Sequence, residues 1–169
     1  IKCHHPAEFL AAMLNSQPLG FYSASQLAQD AKRHGVEVRR VDVMSSEWDC
    51  TLEGLPHPPA VRLGLRLVAG LKAESALRIL KARRERPFDG AEDLARRAEI
   101  EQHEMTLLAA ADALMSLAGH RRQQVWEAAG QRSAPQLLKQ APVNEEELEL
   151  PAAPEGEEVV WDYAATGLT

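Results

Sequence analysis

Between Gly64 and Pro87 the chain reads GLRLVAGLKAESALRILKARRERP, a lone glycine between two short apolar runs, followed by a helix rich in arginine. The chemistry open to Gly70-Leu71-Lys72-Ala73 is anion binding. A tight turn at glycine aims backbone N–H groups outward, the following helix adds the positive end of its dipole, and glycine admits a phosphate without a Cβ in the way. Such a site holds a sugar-phosphate backbone and reads no bases. Residues 62 to 86 carry eight Lys or Arg against two Asp or Glu. On a helical wheel Ala73, Ala76, Leu77 and Leu80 make the stripe expected to be buried. Glu74, Arg78, Lys81 and Glu85 make an exposed face of i, i+4 charge pairs. Lys72, Arg83 and Arg86 fall on another flank with no acidic neighbour in register, so they are the expected phosphate contacts.

Other reactive constellations are weak. Nucleotidyl transfer needs metal-binding carboxylates on one rigid scaffold, whereas Asp42 and Asp49 flank a loop and the C-terminal glutamates sit in a linker-like stretch. The expectation is a chain without catalytic residues and without a cofactor of its own. His4 and His5 are adjacent and point apart, so they do not chelate as an i, i+4 pair does. His120 is expected to cap the last helix of the central unit, and Trp126, with Val125 and Ala129 nearby, to sit in its core. No nucleophile–base pair and no phosphate loop with lysine and Ser/Thr is present, which makes a small-molecule enzyme the most distant reading.

The elements that must position the hairpin follow from pattern and punctuation. PAEFLAAMLNS has Pro6 in a first-turn position and an apolar stripe at Phe9, Leu10, Met13 and Leu14, which predicts a helix ending near Asn15. Ser23 and Gln26 form a capping box for a second helix, and Gly35 ends it before the short alternating strand of HGVEVRRVDV. WDCTLE is expected to pair with AVRLGL across the proline-rich PHPP. Leu63 to Val68 is too short for an independent helix, Ala69-Gly70-Leu71 is a tight turn, and Lys72 to Arg86 is a full helix stopped by Pro87. Asp89 and Glu92 read as a second capping box, followed by helices near 102–111 and 121–130 with a break at Asp112. Residues 131–158 are acidic and proline-containing, as in a solvated linker, and EVVWDYAATGLT reads as a strand that begins a further domain.

Composition bounds the rest. The 169 residues carry a net charge of −6, most of it in the tail, where residues 131–169 hold eight Asp or Glu against two Lys or Arg. That acidity says little about what the middle binds. Cys3 and Cys50 fit no paired framework, no run reaches the length of a membrane span, and there is no signal core. The expected setting is a reducing cytoplasm, without membrane contact. A start at Ile1, already within a helical pattern, reads as a fragment of something larger.

The residues KCHHPAEFLAAMLNSQPLGFYS, HGVEVRRVDV, SEWDCTLE, AVRLGLRLVAGL, ADALMSLAGHRRQQVW and EGEEVVWDYAATGLT, in this order from end to end, resemble bacterial C-family DNA polymerase III alpha subunits of the error-prone ImuC type. The resemblance implies a mainly α fold with a little β. Residues 1–59 would be the end of the fingers and a connecting loop, 60–130 a tandem helix-hairpin-helix domain on duplex DNA, 131–158 an acidic linker, and 159–169 the start of an OB-type domain. It further implies a parent DNA-directed DNA polymerase using Mg in damage-induced translesion synthesis, with catalytic aspartates outside this chain. The site residues would be Gly70, Leu71, Lys72, Ala73, Arg83, Arg86 and Arg121 on the backbone of duplex DNA, in a monomeric segment. Two departures stand out: Lys72 replaces the second glycine of a Gly-x-Gly turn, and Asp112 stands at the turn glycine of the second hairpin. SAPQLLKQAPVNEEELEL lacks the terminal aromatic of a clamp-binding peptide, so the clamp is expected to be reached through an ImuB partner. A second reading, from a different class, is a protein-docking module that places the polymerase on its mutasome partner.

Overall fold

The computed structural model describes residues 4–18, 20, 22–54, 58–130 and 154–167. Cys3 and the stretch 131–153, on which most of the linker reading falls, lie outside them. The expectation of a mainly helical chain with a little β is met: among the described residues there are eight α-helices and one small sheet.

Helix α1 (Pro6–Asn15) begins on proline, whose missing N–H is of no consequence in a first turn. It buries Ala7, Leu10, Ala11 and Leu14. The buried stripe is thus rotated away from Phe9 and Met13, which are half-buried and face α2 (Ala24–Arg33) across a cleft. The predicted capping box opens α2: Ser23 Oγ accepts from the Gln26 N–H at 3.2 Å and Gln26 Oε1 from the Ser23 N–H at 3.1 Å. Gly35, at φ +80°, turns the chain out of that helix.

Strands β1 (Val38–Arg39), β2 (Thr51–Glu53) and β3 (Ala60–Arg62) form a sheet in the order β1-β3-β2. The predicted β2–β3 pairing is antiparallel with Leu52 opposite Val61, and β1 runs parallel to β3 with Val38 opposite Val61. Asn15 ties the end of α1 to this sheet, giving Nδ2–H to Cys50 O at 3.0 Å and taking the Cys50 N–H at 2.7 Å. Cys50 is a buried free thiol; burial pushes its pKa up, and the Gly64 N–H donates to its Sγ at 3.4 Å.

The helical unit follows. A single 3-10 turn (Leu65–Leu67) leads through Gly70 into α3 (Ala73–Glu85). Next come α4 (Ala91–Arg97), α5 (Gln102–Ala110), α6 (Met115–Ala118) and α7 (Arg121–Gly130). Val43, Val61, Leu65, Ile79, Leu94, Met105, Leu108 and Leu114 are fully buried, so sheet and helices share one core.

Two local expectations fail, and one cap goes unread. The capping box at Asp89 and Glu92 does not form: α4 starts after Gly90, and Asp93 takes the Asp89 N–H instead. A capping pair absent from the sequence reading opens α5, where Glu104 Oε2 accepts from the Glu101 N–H. The largest correction is at the C-terminus, where Glu155–Thr166 is a helix, α8, and not a strand. The Val159-Val160 pair favours strand locally, but β-propensity yields to packing. Ala165 is buried against the hairpin unit, and Thr166 Oγ1 donates back to Asp162 O, as inside a helix.

Candidate nucleic-acid interface

The first hairpin has the turn that the sequence predicts. The Leu71 N–H donates to Val68 O at 3.2 Å, Gly70 sits at φ +82°, and the buried Leu71 pins the turn to the core. Glycine is needed here for two reasons. A side chain is strained at this φ, and a Cβ would lie 3.2 Å from Leu107 Cδ1 of α5. The direction of that Cβ corrects the expected role of Gly70. The missing methyl makes room for Leu107 behind the turn, not for a ligand in front of it.

Lys72 is the N-cap of α3 in extended conformation (φ −80°, ψ 146°), and its side chain caps nothing. The first intrahelical bond runs from the Ala76 N–H to Lys72 O at 3.1 Å. The preceding N–H groups of the helix start, from Ala73 onward, therefore precede the α-helical ladder and carry the positive end of the dipole. Lys72 and Ala73 are exposed, and among the described residues no carboxylate lies within ion-pairing distance of the lysine.

The arginines fare otherwise. Arg83, expected on a phosphate, is largely buried; Nη1–H donates to Val43 O and Ser46 O at 3.0 and 2.7 Å, and Nη2 pairs with Glu47 at 2.7 Å. Arg86 keeps half its surface but pairs with Asp89 at 2.6 Å and Asp93 at 3.2 Å. Arg121 is 1% exposed, bound to Asp162 and stacked 5.8 Å from the Trp161 ring. No acidic neighbour lay in register on α3 itself, and in each case the partner comes from elsewhere in the chain.

The same logic governs the rest of the basic stretch. Arg78 of α3 donates to Ala98 O and Glu99 O at the end of α4, while Arg97 of α4 donates to Ala82 O and Arg86 O at the end of α3. The two helices cap each other's C-termini. Arg66 does likewise for α1 through Asn15 O and Gln17 O. Guanidinium is suited to this because its planar fork satisfies several orphan carbonyls at once. Arg78 is thus tied to the end of α4, and not a member of the exposed i, i+4 charge pairs that the wheel predicted. The stripe of α3 is also rotated: Leu77 is 59% exposed and Ala73 is exposed, while Ser75, Ala76, Ile79, Leu80 and Ala82 are buried. Ser75 turns inward because its hydroxyl donates to the Glu104 carboxylate.

The second hairpin turns at Asp112, whose φ of +56° is the left-handed conformation that aspartate tolerates. Its carboxylate is buried and committed, with Oδ2 on Arg40 at 2.6 Å and Oδ1 accepting from Gln124 Nε2 at 2.7 Å. Gln124 in turn accepts the Leu114 N–H, and Ala113 O accepts the Val43 N–H. This turn faces the fold. The side chains of Arg122 and Trp126 lie outside what the structure describes.

The junction of α3 and α4 depends on Asp93, 9% exposed and in contact with Arg86, Arg96 and Arg97. Burial alone would raise its pKa, but hydrogen bonds from Arg96, Arg97 and the Asp89 N–H, with the charge of Arg86, hold it below the ordinary carboxylate range. Glu53 is held down by hydrogen bonds from Arg62 and Arg39, against burial. A carboxylate whose pKa is lowered by folding contributes stability that is present above its unfolded value and lost as pH falls through the folded one. Thermal melts are therefore expected to hold to about pH 5 and to fall away below about pH 4. Asp93→Asn should flatten that acid limb and cost about 1–3 kcal/mol at pH 7; an unchanged acid limb would remove Asp93 from this role.

Among the described residues no group of three or more His, Cys, Asp or Glu could hold a metal ion, so the Mg implied for a parent polymerase finds no donor set among them. No described helix is long and apolar enough to cross a membrane. What remains is a fold built around paired hairpins with one open turn, and the chain belongs to the helix-hairpin-helix family, whose motif matches residues 35–124. Its relatives are more particular. It is 52% identical over 175 residues to an error-prone DNA polymerase of Azoarcus sp. (strain BH72), a match covering 100% of this chain and 16% of that protein. It is 48% identical over 186 residues to the error-prone DNA polymerase of Methylococcus capsulatus (99% and 18%), and 51% identical over 174 to that of Aromatoleum aromaticum (100% and 16%). The chain thus spans about one sixth of the length of the curated relatives it matches.

Proposed function

We propose that this chain is a duplex-DNA-contacting segment of an error-prone DNA polymerase, and that it grips the sugar-phosphate backbone through the first hairpin without reading bases. The observation that carries this reading is the open start of α3 beside Gly70, with Lys72 exposed and without an ion-pair partner among the described residues. Gly70 and Leu71 hold the turn, Lys72 and the Ala73 N–H meet the phosphate, and Arg86 contributes what its two carboxylates leave. Arg83 drops out as a direct contact because the fold has already engaged it, and Arg121 is held by Asp162 for as long as α8 is seated.

The finer expectations belong to the same proposal. The parent would use Mg, work in the cytoplasm in damage-induced mutagenic bypass, and reach the sliding clamp through an ImuB-type partner. The name error-prone, shared by the relatives, supports the mutagenic part. The hairpin domain would run from 60 to 130 and end in the linker, in a monomeric segment, with residues 159–169 entering the next domain from a helix.

The test is titration of labelled primer-template duplex. With about two phosphates neutralised, affinity should fall roughly 12-fold between 50 and 200 mM salt. Absence of binding at 50 mM would overturn the reading.

One observation favours the docking alternative. Between α1 and α2 lies an open apolar cleft of about 760 Å³, lined by Pro6, Phe9, Leu10, Met13 and Leu27, with Tyr22 59% exposed. Capture of an ImuB-type partner without DNA, lost in Phe9→Asp and retained in Lys72→Glu, would establish that second role.

A further inference from the structure

The C-terminal helix is seated on both hairpins at once. Ala165 O accepts the Ala69 N–H at 2.9 Å, one residue before Gly70. Asp162 binds Arg121, the first residue of α7, and the Trp161 ring lies against the same guanidinium. Asp162 and Ala165 are three residues apart, so both contacts are made within about one turn of α8. Ala165 is itself buried, and α8 packs along α5, the helix whose Leu107 backs Gly70.

The charge of this helix is one-sided. Residues 155–166 contain three Glu and one Asp with no Lys or Arg. The end of α8 that touches Ala69 is its C-terminus, where the last carbonyls carry the negative end of the dipole. The element beside the open turn is therefore anionic in both its residues and its backbone. Asp162 also neutralises Arg121, the cation of the second hairpin nearest to it.

On the reading that the hairpin grips DNA, we propose that α8 is an autoinhibitory strap. It occupies the hairpins as an acidic stand-in for a phosphate strand, and duplex DNA displaces it. A buried guanidinium that merely lost its carboxylate would be strongly unfavourable, but a phosphate that takes the place of Asp162 keeps it paired. Displacement bares Arg121, removes a carboxylate and a helix C-terminus from the site, and frees the Ala69 N–H. Arg121 thus enters the DNA contact only after α8 has left.

The experiment uses the full chain, wild type and two variants that loosen α8 by different routes. Asp162→Asn removes the charge at constant shape, and Ala165→Gln cannot seat the buried position and adds no charge of its own. Both are expected to bind primer-template duplex about 3- to 10-fold more tightly than wild type with an unchanged log–log salt slope, because once α8 has left the complex makes the same phosphate contacts in all three proteins. In the wild type, hydrogen exchange at the Ala69 amide and along α8 should speed up on saturation with DNA. Unchanged or weaker binding by both variants, or α8 amides still protected in the DNA complex, would overturn the strap. Absence of binding by all three proteins at 50 mM salt would overturn the strap and the hairpin grip together, whereas binding with α8 in place removes the strap alone.

Discussion

Lys72→Glu is expected to weaken duplex binding roughly 10- to 100-fold at 50 mM salt, the range for losing one charge-assisted hydrogen bond. The physical case is one of availability. Along the basic stretch, Arg66, Arg78 and Arg83 are committed to backbone carbonyls, and Arg86 to two carboxylates. Lys72 stands exposed at the start of α3 and lacks an ion-pair partner among the described residues. The substitution leaves the fold intact, because the Lys72 side chain caps nothing. Fluorescence anisotropy with labelled duplex gives the answer, and the salt slope should become shallower by about 0.9. Arg83→Gln offers the contrast: it should lower the melting temperature, since Val43 O, Ser46 O and Glu47 lose their donor. If Arg83→Gln reduced DNA binding in a stably folded protein while Lys72→Glu did not, the assignment of the grip would be reversed.

Gly64→Ala is expected to be the most damaging glycine-to-alanine change among the described residues. A Cβ at Gly64 would stand 2.4 Å from Trp48 O and 2.5 Å from the Asp49 carbonyl carbon. Those atoms are backbone, and they are held. The Leu65 N–H donates to Glu47 O at 2.9 Å and the Arg66 N–H to Trp48 O at 3.1 Å, so the two segments run side by side and neither can withdraw alone. Overpacking against fixed atoms costs about 3 kcal/mol or more, which for a chain of this size lowers the melting temperature by about 6–12 °C. Gly70→Ala should cost less, about 1–2 kcal/mol for the left-handed backbone, because its Cβ meets the movable end of the Leu107 side chain. A thermal melt in which the Gly64 variant matched wild type would show that residues 47–49 can yield.

These two glycines mark how far the sequence reaches. The turn at Gly70 is legible because a lone glycine between an apolar run and a helix has one ready use, and the structure has it at φ +82°. The start of α1 at Pro6, the capping box of α2, the Gly35 turn and the β2–β3 pairing are legible for the same reason. Each rests on residues a few positions apart, where backbone sterics and short-range hydrogen bonds decide. Gly64 carries no such signal, since its crowding comes from a segment 15 residues earlier that only folding brings near.

What the sequence by itself determined is therefore most of the element order up to α7, the hairpin turn and the family. What only the tertiary structure decided is which charges remain available. Arg83 looked free because no acid lay in register on its own helix, yet its partners are carbonyls 37 and 40 residues away. Arg121 was expected on the backbone of duplex DNA, yet its partner Asp162 lies 41 residues further on. A guanidinium is committed by whichever orphan carbonyl or carboxylate the fold places beside it, and that placement is a property of packing rather than of spacing. For the same reason the stretch 155–166 is a helix against its local strand pattern: the buried Ala165 and the Ala69 N–H select the conformation that reaches them.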